Sequence, residues 1–80
     1  GLDACLRILA SAKRYLAPQG LLVCEVGESE ERLQYVLPSV PFTWLEFANG
    51  GSGVFILSRQ ELLEAAGAAA NVIEERENVL

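Results

Sequence analysis

Residues 41–57, Pro-Phe-Thr-Trp-Leu-Glu-Phe-Ala-Asn-Gly-Gly-Ser-Gly-Val-Phe-Ile-Leu, constrain this chain more than any other stretch. Two β-rich runs flank five residues, Asn49 to Gly53, of which three are glycine. That pattern predicts a hairpin with a loop longer than the tight two-residue kind. The hairpin follows a helix, a buried strand and a second helix in the sequence reading. An antiparallel hairpin closing an αβα run is the pattern of the last third of an open α/β sheet. The beginning of such a sheet, where these folds bind their cofactors, has no counterpart in these residues.

Eighty residues make one small domain or a piece of a larger one. A chain of this size buries roughly 60–65% of its unfolded surface. Yet 51% of it is hydrophobic, which means either an unusually dense core or, the reading favoured here, apolar faces that pack on something outside these residues. The sequence contains no methionine and so no initiator, which fits a part of a longer protein and equally a processed terminus.

Eleven acids face six bases, for a net charge of −5. Binding nucleic acid through its phosphates needs a basic stripe, and the only adjacent basic pair is Lys13-Arg14, so no direct nucleic-acid contact is expected. The longest apolar runs, such as Leu21 to Cys24, fall far short of the ~20 residues that span a bilayer. No basic-then-apolar signal opens the chain, and a cytoplasmic location without membrane contact is expected. Cys5 and Cys24 show no CxxC or zinc-like spacing and read as two buried, reduced thiols. Histidine is absent, which removes the commonest general base and most transition-metal sites.

Leu2, Leu6, Leu9, Ala12 and Leu16 recur at three- and four-residue steps. They predict a helix capped by Asp3 and running to about Leu16, where Pro18-Gln19-Gly20 turns the chain. Leu21 to Val26 is a nearly continuous apolar run, the signature of a strand covered on both faces. Ser29 is expected to cap a second helix, with Glu30 and Glu31 in its first turn and Leu33, Val36 and Leu37 on its apolar side. Phe42 to Ala48 and Val54 to Ser58 are the second and third strands. Val54 to Leu57 is wholly apolar, which suits a central strand better than an edge. Ser58-Arg59-Gln60-Glu61 fits a capping box, so a third helix starts near Arg59 and extends through Ala65–Ala70. Residues 67–80 read as a polar helical or frayed tail.

Certain words along the chain resemble those of class I S-adenosylmethionine-dependent methyltransferases. They are similar in particular to the protein glutamine N5-methyltransferases, in the branch that modifies a large-subunit ribosomal protein. These words are Gly1-Leu2-Asp3, Arg7-Ile8-Leu9 and Leu21-Leu22-Val23-Cys24-Glu25-Val26-Gly27. The most specific are Val40-Pro41-Phe42-Thr43-Trp44-Leu45-Glu46-Phe47, Gly50-Gly51 and Gly53-Val54-Phe55. The resemblance implies an α/β fold: the C-terminal part of a Rossmann-like methyltransferase sheet, with three strands, the last inserted antiparallel, and flanking helices. It covers residues 1–66 as the C-terminal portion of the methyltransferase domain. It also implies a parent enzyme that uses S-adenosylmethionine and has a ribosomal protein as substrate. The family's glycine-rich cofactor loop and its Asn-Pro-Pro-Tyr motif have no matching residues here. No catalytic or cofactor-binding residue is therefore carried over, and the isolated chain is expected to be inactive.

Glu25-Val26-Gly27-Glu28 has the outline of a strand-Glu-x-Gly cofactor loop. The acids that follow it, Glu28, Glu30 and Glu31, would repel phosphate, and a plain strand end is expected. The same acids lack calcium-loop spacing, and no metal site is expected. Phe42 and Trp44, with Tyr35 and Phe55 nearby, present aromatic faces that read as core rather than as a ligand stack. Ligands of open α/β sheets gather at the C-terminal ends of parallel strands. Gly27, Glu28, Asn49, Gly50 and Gly51 are therefore the substrate-rim candidates, although the glycines also serve the hairpin alone. A different class of function competes with the enzyme: a small acidic α/β interaction module. It would associate through the open sheet edge at Leu21–Val26, where the isolated chain is expected to self-associate.

Overall fold

The computed structural model describes residues 2–77. The first helix, α1, spans Leu2–Ser11 and passes into a single tighter turn over Ala12–Arg14. Strand β1 is Leu21–Glu25 and helix α2 is Glu30–Val36. Strands β2, Thr43–Trp44, and β3, Val54–Ser58, precede the long helix α3, Arg59–Glu77. The strand order is β1-β3-β2, with β3 antiparallel to both neighbours. The inserted antiparallel strand expected from the sequence is thus present, and β1 and β2 run parallel to each other.

The register divides the sheet into two unlike faces. Leu22 pairs with Leu57, Cys24 with Phe55, and Trp44 with Phe55. Directly opposed residues point the same way, so these side chains share one face. All three helices pack there. Leu2, Cys5, Leu6 and Leu9 of α1, Leu33 of α2, and Leu62, Ala65 and Ala69 of α3 form one core with Phe55 and Leu57. The opposite face carries Leu21, Val23, Thr43, Val54 and Ile56, and Leu21 and Val23 remain 58% and 57% exposed. The sequence predicts cover on both faces of Leu21–Val26, but the described helices cover one.

Several local expectations give way to specific geometry. Asp3 lies inside the first turn of α1 rather than ahead of it, and bonds Arg76 at the far end of α3. The Ser11 hydroxyl donates to the Arg7 carbonyl at 2.9 Å, four residues back. That side-chain competition bends helices, and here α1 tightens five residues before Leu16. Ser29 makes no capping bond, because its backbone sits at φ −83°, ψ 3°, not in the extended geometry a cap needs. The second strand is two residues rather than the seven of Phe42–Ala48, although the Leu45 amide adds one more bond, to the Val54 carbonyl at 2.9 Å. Beyond it Glu46, Phe47 and Ala48 are exposed, and the start of β3 is drawn toward β1 instead. Tyr35 is 85% exposed and stands apart from the aromatic cluster.

The third helix begins as its sequence predicts. The Glu61 amide donates to the Ser58 hydroxyl at 3.2 Å, and the Ser58 amide donates to a Glu61 carboxylate oxygen at 2.9 Å. The Arg59 guanidinium reaches back to the Leu16 carbonyl at 3.1 Å and ties α3 to the end of the first helical segment. Helix α3 runs unbroken across position 67 to Glu77, with 78–80 outside the described residues.

Both thiols lie on the helix-covered face, Cys5 buried and Cys24 half-buried, and neither is in a disulfide. Burial first, and the neighbouring Cys24 second, push the Cys5 thiol from its ordinary 9.0 to about 12. A thiol that holds its proton more tightly when folded stabilises the protein fully below pH 9.0. That contribution is lost as pH rises from 9.0 through about 12. Thermal midpoints should therefore fall across this window, and fall less steeply in Cys5→Ala. Equal slopes in the two proteins would remove Cys5 as the cause.

Candidate functional site

The parallel strands β1 and β2 end on the same side of the sheet, and the loops that leave them meet there. Gly27 follows β1 at φ +54° and opens a tight turn over Gly27–Ser29 that leads into α2. The hairpin loop approaches from the other side. Its turn is closed by the Gly50 amide donating to the Phe47 carbonyl at 3.1 Å.

Gly53 joins the two loops. Its carbonyl accepts from the Val26 amide at 2.6 Å, which extends the β1–β3 ladder by one step. Its amide donates to a Glu30 carboxylate oxygen at 3.1 Å. Gly53 is buried, so both of its backbone groups need partners, and these two interactions supply them. A Cβ on Gly53 would stand 2.3 Å from the Gly27 carbonyl oxygen and 2.6 Å from its Cα and N. Only a residue without a side chain lets the hairpin lie this close to the end of β1.

A shallow depression of about 360 Å³ lies over this junction, lined by Gly27, Glu28, Glu30, Glu31 and Ser52. Of the five rim candidates, Gly27 and Glu28 line it. Asn49, Gly50 and Gly51 are exposed in the same hairpin loop but do not line the depression. Gly50 has nothing within 4 Å of a would-be Cβ, and Gly51 has only Phe47 at 3.9 Å. From the sequence, Ser52 and Gly53 belong to the same glycine loop but not to the rim candidates, and Glu30 is weighed only among the acids of the first helical turn. A signal for Gly53 existed: it directly precedes one apolar strand, as Gly27 closely follows another, and paired strands bring such glycines together.

The aromatic residues are structural. Phe42, Trp44 and Phe55 form a triangle with ring centroids 5.5 Å (Phe42–Trp44), 4.8 Å (Phe42–Phe55) and 5.5 Å (Trp44–Phe55) apart. These spacings are those of packed aromatic pairs. Among the described residues, no group of three or more Cys, Asp or Glu side chains is placed to hold a metal ion. No helix among them is long and apolar enough to cross a membrane.

An α/β sheet with an inserted antiparallel strand and two loops gathered at one rim is consistent with part of a methyltransferase-like fold. The chain is similar to curated proteins of that class. It is 49% identical over 63 residues to the ribosomal protein uL3 glutamine methyltransferase of Xanthomonas campestris pv. campestris, covering 79% of this chain and 20% of that protein. It is 45% identical over 64 residues to the protein of the same name from Francisella tularensis subsp. tularensis, covering 80% and 20%. A third, from Xylella fastidiosa, is 45% identical over 76 residues, or 95% of this chain and 24% of that protein. The chain thus spans about a fifth to a quarter of the length of the curated relatives it matches. The resemblance to glutamine methyltransferases is borne out, and these residues correspond to the C-terminal portion of those longer proteins. The Xylella match also extends into residues 67–80, where the sequence reading identifies nothing. No family model matches the chain, and no solved structure matches it.

Proposed function

We propose that these residues form the sheet-closing part of a cytoplasmic, S-adenosylmethionine-dependent enzyme that methylates a glutamine side-chain nitrogen of a large-subunit ribosomal protein. The observation that carries this reading is the 45–49% identity to ribosomal protein uL3 glutamine methyltransferases over most of the chain. An amide nitrogen is a poor nucleophile, because its lone pair is delocalised into the carbonyl. Such an enzyme gains rate by holding the amide in line with the methyl group. The contribution assigned to this chain is the substrate rim, with Gly27 and Glu28 on the β1 side and Asn49, Gly50 and Gly51 on the hairpin side.

The residues present do not fit the methyl donor itself. A donor loop lets backbone approach its ligand. Here the backbone of Gly53 already occupies the approach to Gly27, and three carboxylates surround the turn. The isolated chain should therefore neither bind S-adenosylmethionine nor transfer a methyl group. Calorimetry that finds a 1:1 complex tighter than about 100 μM, near −5.5 kcal/mol, would overturn this.

The uncovered side of β1 is where the rest of the parent enzyme would pack. Among the described residues its outer edge has no strand partner, and Leu21 and Val23 are exposed beside it. The isolated chain should consequently self-associate, and Val23→Lys should reduce that association. Because Val23 is 57% exposed, the substitution should change folding stability by no more than about 0.5 kcal/mol. Sequence alone predicts a weakened fold, from a side chain taken to be in the core. A wild-type chain that sediments as a monomer at high micromolar concentration, with slow amide exchange along Leu21–Glu25, would favour a self-contained module.

The enzyme reading is tested on the full-length protein that carries these residues. Incubated with radiolabelled S-adenosylmethionine and unmodified ribosomal protein, it should label one glutamine, heavier by one CH2 in the mass spectrum. Label on another residue type, or none, would refute it.

A further inference from the structure

We infer that Glu30 is a positioning residue for this methyl transfer: its carboxylate clamps the glycine hairpin to the start of α2, beside the end of β1, and so fixes the shape of the substrate rim. The inference rests on the reading that the rim faces the protein substrate. Glu30 and Gly53 are 23 residues apart, and the bond between them is 3.1 Å. An acid in the first turn of a helix ordinarily serves the helix dipole. Glu30 is half-buried and directs an oxygen away from its own helix, to a buried amide of the hairpin loop.

The rest of the loop has little else to hold it. Ala48 to Ser52 are exposed, and Gly50 and Gly51 adopt positive φ without close neighbours at their would-be Cβ positions. The turn bond from Gly50 to Phe47 is internal to the loop. Attachment to the β1 side comes through Gly53: the Val26 amide on its carbonyl, the Gly27 backbone against its Cα, and Glu30 on its amide. Releasing the last of these leaves a buried N–H without a partner and lets the loop pivot. Substrate positioning is sensitive to such small displacements.

The test uses the full-length enzyme with Glu30→Ala, Glu30→Gln and Glu30→Asp. Glutamine keeps an oxygen at the same reach, whereas aspartate falls one CH2 short. Glu30→Ala and Glu30→Asp should raise the KM for the protein substrate about tenfold, as expected when a buried amide loses its partner. Glu30→Gln should stay near wild type, and kcat and S-adenosylmethionine affinity should move less than about twofold in all three. A KM unmoved in the alanine and aspartate variants, or a glutamine variant as impaired as aspartate, overturns the proposal. If the alanine variant fails to fold, the aspartate and glutamine pair decides. Hydrogen exchange at the Gly53 amide gives a readout that does not depend on activity. Exchange faster in the aspartate variant and unchanged in the glutamine variant supports the clamp, and equal exchange in both overturns it. If the wild-type protein transfers no methyl group, the proposed function fails, while the clamp is still judged by this exchange.

Discussion

Replacing Gly53 by alanine should destabilise the fold by about 3 kcal/mol or more. Two costs add. The residue sits at φ +81°, where a Cβ costs roughly 1–2 kcal/mol. The new methyl would also meet the Gly27 backbone at 2.3–2.6 Å. Backbone atoms cannot swing aside as a flexible side chain would, so relief requires the hairpin to lift from β1. Lifting it stretches the 2.6 Å Val26 bond and the 3.1 Å Glu30 bond together. Gly50→Ala is the control: its φ is +84°, but nothing lies within 4 Å of the added methyl. It should cost about 1–2 kcal/mol from backbone conformation alone. Urea denaturation of both variants, on the Val23→Lys background to suppress association, separates the two costs. Equal losses would mean that the close approach to Gly27 contributes nothing to stability.

Phe55→Ala should cost about 3–5 kcal/mol, enough to unfold much of the population. Phe55 is fully buried on the central strand, touches both other aromatic rings, and joins the core formed by all three helices. Its loss removes the largest buried side chain from a domain whose total stability is roughly 4–12 kcal/mol at this length. The near-ultraviolet circular dichroism of Trp44 should collapse in parallel, because its ring packs edge-on against Phe55 at 5.5 Å. Phe55→Leu, which keeps most of the volume, should cost less than half as much. A loss under about 1 kcal/mol for Phe55→Ala would show that the core is not centred on this strand.

What could be read from the sequence was local or periodic. The Ser58–Glu61 capping box forms as written, because both partners lie within one turn. The leucine stripe of α1 is buried, because helical spacing alone puts Leu2, Leu6 and Leu9 on one face. The central place of Val54–Ser58 was legible from its apolar run and the hairpin before it only together with the resemblance to methyltransferases, and the strand order bears it out. What could not be read depended on distant partners. Leu45 to Phe47 have strand-like composition, yet pairing stops after Leu45 because Gly53 is held toward β1 by Val26 and Glu30. The Leu21–Val26 run reads as two-sided core, but the described helices cover only the Leu22 and Cys24 side. At the rim, the glycines and Glu28 could be found as strand-end residues. Glu30 could not, since an acid in a first helical turn already has an adequate local explanation.

Whether these residues can serve as the closing part of a glutamine methyltransferase is decided by a chimera. The matching C-terminal segment of the Xanthomonas campestris relative is replaced by this chain, and methylation of ribosomal protein uL3 by the purified chimera is followed by mass spectrometry. The account predicts a folded chimera that methylates the same glutamine as its parent at a comparable rate, and a Gly53→Ala version that loses most of this activity. A chimera that folds and binds S-adenosylmethionine but leaves the ribosomal protein unmodified would contradict it.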